Sequence, residues 1–148
     1  MKYAVSLLIL LLSPFFTPPD VQAQPPGPQE VVERFHAALK DQKKEDVLKI
    51  LSEDIIIFED GSSEMSLDEY ASHHLEADMK FSAGAQRKVL QRETFSAGEA
   101  PVVMSVYRVK ARVRGNPTEY ENAETVILER HGDDWRISHI HWSTRKLR

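Results

Sequence analysis

The sequence predicts an α+β domain in which helices come first and a curved antiparallel sheet wraps around them. Apolar residues recur at helical spacing in three segments before residue 80, and the later segments alternate with a period of two. Glycine-containing turns separate these later segments at hairpin spacing. Helices followed by a long meander indicate one sheet that curls over the helices and leaves a cavity between the two layers.

The N-terminal half is predicted to form three helices and one strand. We expect helices over residues 29–40 and 44–52, and a third that begins at residue 66. The continuous run Ile55–Phe58 is rich in β-branched residues, which favours a buried strand. The remaining strands are expected over residues 86–96, 102–114, 119–130 and 134–144.

A capping box fixes the phase of the third helix. Ser66 is followed three residues later by Glu69, the pattern in which each side chain caps a backbone N–H group. In that phase, residues spaced by three or four positions share the face that we expect to point inward. This face includes Tyr70, His74 and Asp78, whereas His73 points away.

The first residues of the chain have the pattern of an export signal. Lys2 precedes the apolar run Ala4–Phe16, and Val21-Gln22-Ala23 offers small residues for cleavage. We therefore expect a signal peptide (1–23), a proline-rich spacer (24–28) and one folded domain (29–148). The protein is expected to be periplasmic or secreted, with no membrane attachment after cleavage.

Composition excludes several kinds of site and partner. The formal net charge is −4, which argues against a nucleic-acid surface. The sequence contains no cysteine, so it has no disulfide, thiolate metal site or lipid-anchored cysteine. We expect no cofactor; a small organic ligand and a second copy of the chain are the expected partners.

The most informative functional pattern lies in the last predicted strand. His139 and His141 alternate along it, so both rings point to one face of the sheet. If the preceding turn has two or four residues, Arg130 pairs with Trp135 and Glu124 lies opposite His141. A three-residue turn would reverse this facing. A carboxylate beside an imidazole raises the histidine pKa and suits it to acid/base chemistry near neutral pH.

Other interpretations of the same residues remain open. The Glu124–His141 pair could simply order the sheet, or it could bind a ligand without catalysis. The strand histidines with His74, Asp78 or Glu124 could bind zinc, but the spacing is not diagnostic, and we predict no metal. On the opposite face of the strand, Ile140 and Trp142 would form an exposed apolar patch, which predicts a dimer interface.

With these residues in view, the chain resembles the nuclear transport factor 2-like superfamily, in particular its SnoaL-like and ketosteroid-isomerase-like members. It is also similar to the association domain of calcium/calmodulin-dependent protein kinase II. The residues that carry the resemblance are Glu124-Thr125, Trp135, Ile137, His139 to Ser143, Phe58 to Gly61, Glu64, Glu69-Tyr70 and His74 to Asp78. The resemblance implies a cone-shaped fold with a pocket at its wide end and frequent dimers or larger rings.

The resemblance also implies candidate roles. Ketosteroid isomerases place an acidic base near the end of the first strand, where this chain has Glu59 and Asp60, and alternation does not choose between them. Phe35 and His36 lie in the first-helix region where their tyrosine is expected. The kinase association domain has an arginine at the position of Val126; Arg108 could replace it from the neighbouring strand.

We therefore expect an exported small-molecule-binding protein with a polar pocket between helices and sheet. If it is an enzyme, acid/base chemistry of the isomerase or cyclase type would use His141, Glu124 and Asp60. The predicted ligand-binding residues are Glu59, Tyr70, His74, Asp78, Arg108, His139 and Ser143. The alternative is a non-catalytic association or sensor module.

Overall fold

Four helices pack against one face of a curved six-stranded sheet in the computed structural model, which describes residues 25–147. The helices are α1 (Pro28–Lys40), α2 (Lys44–Ile50), α3 (Leu67–His73) and α4 (Leu75–Gly84). The strands are β1 (Leu51–Glu59), β2 (Ser62–Glu64), β3 (Gln86–Ala97), β4 (Ala100–Val113), β5 (Asn116–His131) and β6 (Asp134–Lys146). The predicted signal peptide lies outside the described residues.

The strand order is β2-β1-β6-β5-β4-β3. Neighbouring strands are antiparallel except β1 and β6, which run parallel. β1 comes from the N-terminal half of the chain and lies beside β6, the last strand of the meander β3-β4-β5-β6. The predicted α+β class and the curved sheet around N-terminal helices are confirmed.

Helix α1 packs its apolar stripe against the sheet. Pro28 occupies the first turn, where its missing N–H group leaves no hydrogen bond unmade. Phe35 is fully buried, and its ring stacks on Trp142 at 6.3 Å between centroids. The other buried residues of this stripe are Val31, Val32, Ala38 and Leu39.

Within residues 25–147, no helix combines the length and apolar character needed to cross a membrane.

The capping box at the start of α3 forms, but the helix is shorter than predicted. The Ser66 hydroxyl accepts a hydrogen bond from the Glu69 N–H at 3.2 Å, and the Glu69 carboxylate accepts one from the Met65 N–H at 2.7 Å. At His74 the backbone departs from regular helical geometry, with φ −113° and ψ −32°, and α4 starts at the next residue. The predicted single helix is therefore two helices joined at His74.

The final hairpin starts in the predicted register and then departs from it. Gly132 and Asp133 form a two-residue turn, with Gly132 at φ 63°, and Arg130 pairs with Trp135 as expected. Beyond Leu128 and Ile137 the ladder skips Ser138, because Ile127 pairs with His139. Ser138 is the extra residue of a β-bulge, and such a residue reverses the facing of every position that follows it.

The prediction that Glu124 lies opposite His141 is therefore wrong. Glu124 pairs with Trp142, and His141 pairs with Thr125. The Glu124 side chain points toward the helices, whereas His139, His141 and Ser143 lie on the outer face of the sheet. His139 and His141 contact the exposed Phe58 ring there, at 5.4 and 6.3 Å between centroids.

The same bulge overturns the predicted dimer interface. Ile140 is completely buried and Trp142 is only 6% exposed, because both side chains belong to the core between sheet and helices. Neither side chain is available to a partner on the outer face. The exposed apolar side chains of the outer face instead include Phe58 and Met104.

Candidate functional site

One row of side chains crosses the inner face of the sheet and forms the base of the candidate site. Successive strand pairings join Arg92 to Ser105, Ser105 to Glu124, Glu124 to Trp142 and Trp142 to Glu59. Since directly paired residues point to the same face, all five side chains are directed toward the helices. Polar groups from five strands thus lie beneath α1 and α4.

Glu124 is the centre of the first cluster in this row. Its carboxylate is buried, and each oxygen accepts a hydrogen bond: Oε1 from the Tyr107 hydroxyl at 2.8 Å and Oε2 from the Trp142 indole N–H at 2.7 Å. His36 of α1 places Nε2 at 2.8 Å from Oε2, although its N–H direction departs from the line to that oxygen. We call these four residues the Glu124 cluster.

The Glu124 cluster keeps its carboxylate ionised. Burial alone would raise the pKa of Glu124, but His36 and the hydrogen bond from Trp142 outweigh burial and lower the pKa to about 2. Burial, followed by the charge of Glu124, raises the pKa of Tyr107 to about 12, so its phenol stays protonated and donates. A carboxylate whose oxygens are occupied and whose pKa is low is a poor base, so this cluster positions its neighbours.

Two arginines of β3 extend the cluster on opposite sides. Arg92 donates to the Tyr107 hydroxyl at 2.8 Å, to Ser105 at 3.0 Å and to Glu33 of α1 at 2.8 Å. Arg87 contacts Nδ1 of His36, which therefore acts as acceptor and leaves the ring proton on Nε2. Burial lowers the pKa of His36 below its ordinary value; the charge of Glu124 opposes this shift, and the charge of Arg87 adds to it.

A second cluster brings two carboxyl groups together between the sheet and α4. Glu59 points inward from the end of β1, and Asp78 faces it from α4. The Tyr70 hydroxyl donates to Asp78 Oδ2 at 2.9 Å. Glu59 and Asp78 line two of the same cavities, so one bound molecule can contact both.

Both carboxyl groups have raised pKa values. Burial is the main cause for Glu59, and the negative charges of Asp78 and Asp60 add to it, whereas His74 acts in the opposite direction. Burial also raises the pKa of Asp78 and outweighs the hydrogen bond from Tyr70. Their raised pKa values make both acids readier to hold a proton than ordinary carboxyl groups.

Three adjoining cavities share Glu59, and we call them together the Glu59 pocket. The largest, about 250 Å³, lies beside Asp78, Phe81 and Tyr120, and a narrow one of about 60 Å³ reaches Trp142. The third, about 210 Å³, is bounded by Ser62, Ser63, Glu64, Tyr70 and His74. At its rim, Glu64 is buried and contacts Nδ1 of His74. His73 lies farther out, with its Nδ1 3.4 Å from Glu64.

The structure distributes the predicted site residues over three places. Glu59, Tyr70, His74 and Asp78 lie together in the Glu59 pocket, which also has Asp60 at its rim. Asp60 is exposed, and its carboxylate accepts a hydrogen bond from the Thr144 N–H at 3.1 Å. Glu124 belongs to the separate Glu124 cluster.

The remaining predicted residues are outside the pocket. His139, His141 and Ser143 were expected inside and lie on the outer face because of the bulge at Ser138. Arg108 is also on the outer face, 3.5 Å from Glu121, since it alternates with the inward-facing Tyr107. Among residues 25–147, no group of three histidine or acidic side chains is arranged to hold a metal ion.

Sequence reasoning missed Tyr107, Arg87 and Arg92. Tyr107 could have been found, because it alternates with the apolar Val103 and Val109 on the buried face of β4. The arginines could not, because a second bulge between Val89 and Gln91 separates their registers.

We expect Glu124→Gln to destabilise the protein by about 1–3 kcal/mol at pH 7, because the amide places an N–H group against a donor. The lowered pKa of Glu124 also gives a stabilising contribution that is complete above its ordinary value of 4.5. This contribution is lost as the pH falls toward about 2. Denaturant unfolding at pH 7 and pH 3 should therefore show a smaller acid effect in the variant.

The exposed Glu93→Gln is the matched control. It should leave the free energy of unfolding at pH 7, and its change between pH 7 and pH 3, as in wild type. A Glu124→Gln protein with wild-type stability and an unaltered acid response would contradict the role of the Glu124 cluster.

Comparison with known proteins agrees with this architecture. The SnoaL-like domain family matches residues 29–145. A solved structure of a candidate ketosteroid isomerase from Shewanella frigidimarina is 32% identical, with a TM-score of 0.70 over 76% of this chain and 91% of that one. No curated protein sequence matches the chain.

More distant structures share the fold alone. A CaMKII hub from S. rosetta is 15% identical, with a TM-score of 0.70 over 82% of this chain and 99% of that one. A candidate scytalone dehydratase from Novosphingobium aromaticivorans is 14% identical, with a TM-score of 0.67 over 79% and 80%. Because the family match spans nearly all of the described residues, the chain belongs to the SnoaL-like domain family.

Proposed function

We propose that this protein binds a small organic molecule in the Glu59 pocket and catalyses proton transfer on it. The observation that carries the proposal is the pair Glu59 and Asp78, two half-buried acids with raised pKa values that face the same cavities. A general base works best when its pKa approaches the working pH, and both acids are shifted in that direction. Isomerase or cyclase chemistry fits this pair.

The two acids have different surroundings, which suggests different roles. Among residues 25–147, no group donates a hydrogen bond to the Glu59 side chain. Its carboxylate is therefore free to take a proton from a carbon next to a carbonyl group. Asp78 accepts from Tyr70, and its protonated form can donate a hydrogen bond to the oxygen that becomes negative. Glu59 would then return the proton to another carbon. The Shewanella relative, a candidate ketosteroid isomerase, favours this chemistry.

We expect Glu59→Gln to reduce turnover by at least about 100-fold, because removal of a general base typically costs 10²–10⁴ in rate. Suitable probes are a β,γ-unsaturated 3-ketosteroid, followed by its absorbance, and simple ketones in D₂O, followed by NMR loss of the α-proton signal. Asp78→Asn should also slow the reaction. Glu53→Gln, an exposed change on the same strand, is the control.

Stability measurements separate a catalytic role from a structural one. Ionised Asp78 is disfavoured in the folded protein, so it opposes folding at pH values above its raised pKa. This cost disappears as the pH falls toward the ordinary value of 3.8. Asp78→Asn should therefore melt at a higher temperature than wild type at pH 7, and the gain should shrink in acid. Wild-type turnover in Glu59→Gln would contradict the proposal, as would a wild-type protein that exchanges no proton in any probe.

Export to the periplasm or the medium is the proposed setting of this activity. The basis is Lys2, the apolar run Ala4–Phe16 and the small residues at 21–23. N-terminal sequencing of the protein recovered outside the bacterial cytoplasm should begin at Gln24. Recovery of protein that still begins at Met1 would contradict cleavage.

A homodimer formed through the outer sheet face is the second candidate function, as an association module. Phe58 and Met104 are 42% and 41% exposed on this face, in the same row as His141. Large apolar side chains grouped on a sheet are typical of association surfaces. The CaMKII hub from S. rosetta, which has the same fold, favours assembly.

Light scattering at micromolar concentration should give the mass of a dimer. Phe58→Glu together with Met104→Glu should give a monomer, because two carboxylates would be placed in the interface. Met65→Glu, at an exposed methionine between β2 and α3, should leave the dimer intact. A wild-type monomer would contradict the second candidate and leave the pocket proposal untouched.

A further inference from the structure

A further cavity of about 170 Å³ adjoins the Glu59 pocket between the ends of α1 and α4. We call it the Lys40 cavity; its lining is His36, Ala37, Lys40, Ser82, Ala85 and Arg87. This lining contains two permanent cations and no acidic side chain. The adjacent acid in sequence, Asp41, instead faces Lys43 at 3.7 Å. The cavity is therefore electropositive, in contrast to the acidic Glu59 pocket.

The positive charge outweighs the helix ends at this place. The C-terminus of a helix carries a partial charge of about −0.5, so two helix ends contribute roughly one negative charge. Lys40 and Arg87 together contribute two full positive charges. The balance favours an anion, and Ser82 offers a hydroxyl donor as well.

Arg87 is held in a geometry suited to binding an oxyanion. Its guanidinium lies 4.9 Å from the centre of the Tyr107 ring, which fixes the plane of the group. One nitrogen, NH1, contacts Nδ1 of His36. Since a guanidinium has five N–H donors, further donors remain for a carboxylate or phosphate.

The Lys40 cavity and the Glu59 pocket adjoin at Arg87 and Ser82. Both residues also line the narrow cavity that contains Glu59 and Asp78. A single elongated molecule can therefore pass from one cavity to the other. Its two ends would meet opposite charges, which would fix the direction in which it binds.

We infer that the ligand is a small organic oxyanion whose charged end binds between Lys40 and Arg87 while its reactive carbon reaches Glu59. This inference rests on the proposed function of the Glu59 pocket and names its substrate class. A carboxylate and a phosphate share the required chemistry. Ionised Glu59 would repel the charged end, which disfavours the reverse orientation.

The test compares three probes of similar size: benzoate, phenyl phosphate and the neutral benzamide. NMR titration of the purified protein at low ionic strength should show at least tenfold tighter binding of an anionic probe than of benzamide. Backbone amide shifts should change at Lys40, Ser82 and Arg87. The tighter of the two anions identifies whether carboxylate or phosphate is preferred.

Lys40→Gln should weaken binding of the anionic probes about five- to tenfold and leave benzamide binding unchanged. Arg87→Gln should weaken it further, but it also removes the contact with Tyr107, so the Lys40 variant gives the cleaner result. Lys80→Gln, at an exposed site on α4 outside both cavities, is the matched control. Equal affinities for the three probes would overturn the inference, and so would anion binding that survives both variants.

Glu59→Gln distinguishes this inference from the proposed function. The variant should bind the anionic probes at least as tightly as wild type, because a nearby negative charge is removed. Anion binding without any proton exchange in wild type would contradict the catalytic proposal alone. Proton exchange with neutral ketones, combined with no preference for anions, would contradict this inference alone.

Discussion

The buried carboxylate of Glu124 joins helix α1 to the middle of the sheet. An ionised carboxylate in an apolar interior costs several kcal/mol unless hydrogen-bond donors surround it. Tyr107 of β4, Trp142 of β6 and His36 of α1 supply the surrounding groups. Each comes from a different element, so one charge fixes the relative position of all three.

The position of Glu59 depends on this arrangement. Trp142 connects the two clusters, because it donates to Glu124 and pairs with Glu59 on the neighbouring strand. Its indole also stacks on Phe35, which keeps α1 close to the sheet. The pocket wall is thus rigid on the sheet side, and α4 supplies the opposing acid.

The pKa values of Glu124 and Glu59 are shifted in opposite directions because different groups surround the two carboxylates. Glu124 receives hydrogen bonds at both oxygens and has a low pKa, which makes it a permanent anion. Glu59 is buried beside Asp78 and has a raised pKa. The charge of His36 and the hydrogen bonds to Glu124, more than the depth of burial, separate this ionised acid from Glu59.

Local patterns in the sequence predicted most elements of the fold, and the facing of the last strand was not predictable. The apolar stripe of α1, the capping box at Ser66 and the turn at Gly132 follow from short-range physics, and they formed. The bulge at Ser138 has no sequence signal, since serine is common in regular strands as well. One extra residue moved the histidines outward and brought Trp142 into the core.

The candidate site was predicted in part for the same reason. Helical spacing grouped Tyr70, His74 and Asp78, and these residues do share the pocket. Which of Glu59 and Asp60 faces inward depends on where β1 ends, and alternation along the strand does not reveal this. The position of Arg87 does not follow from local sequence either, because Arg87 reaches His36 from a strand about 50 residues away in sequence.

The parallel pairing of β1 with β6 has a consequence for the order in which the domain can fold. Partners such as Ile57 and Ile140 are about 80 residues apart. A chain emerging from the ribosome therefore keeps the edge of β1 unpaired until nearly all of the domain has been made. Closing so long a loop is slow relative to hairpin formation. This delay leaves the edge of β1 open to pairing with other chains while the domain is being made.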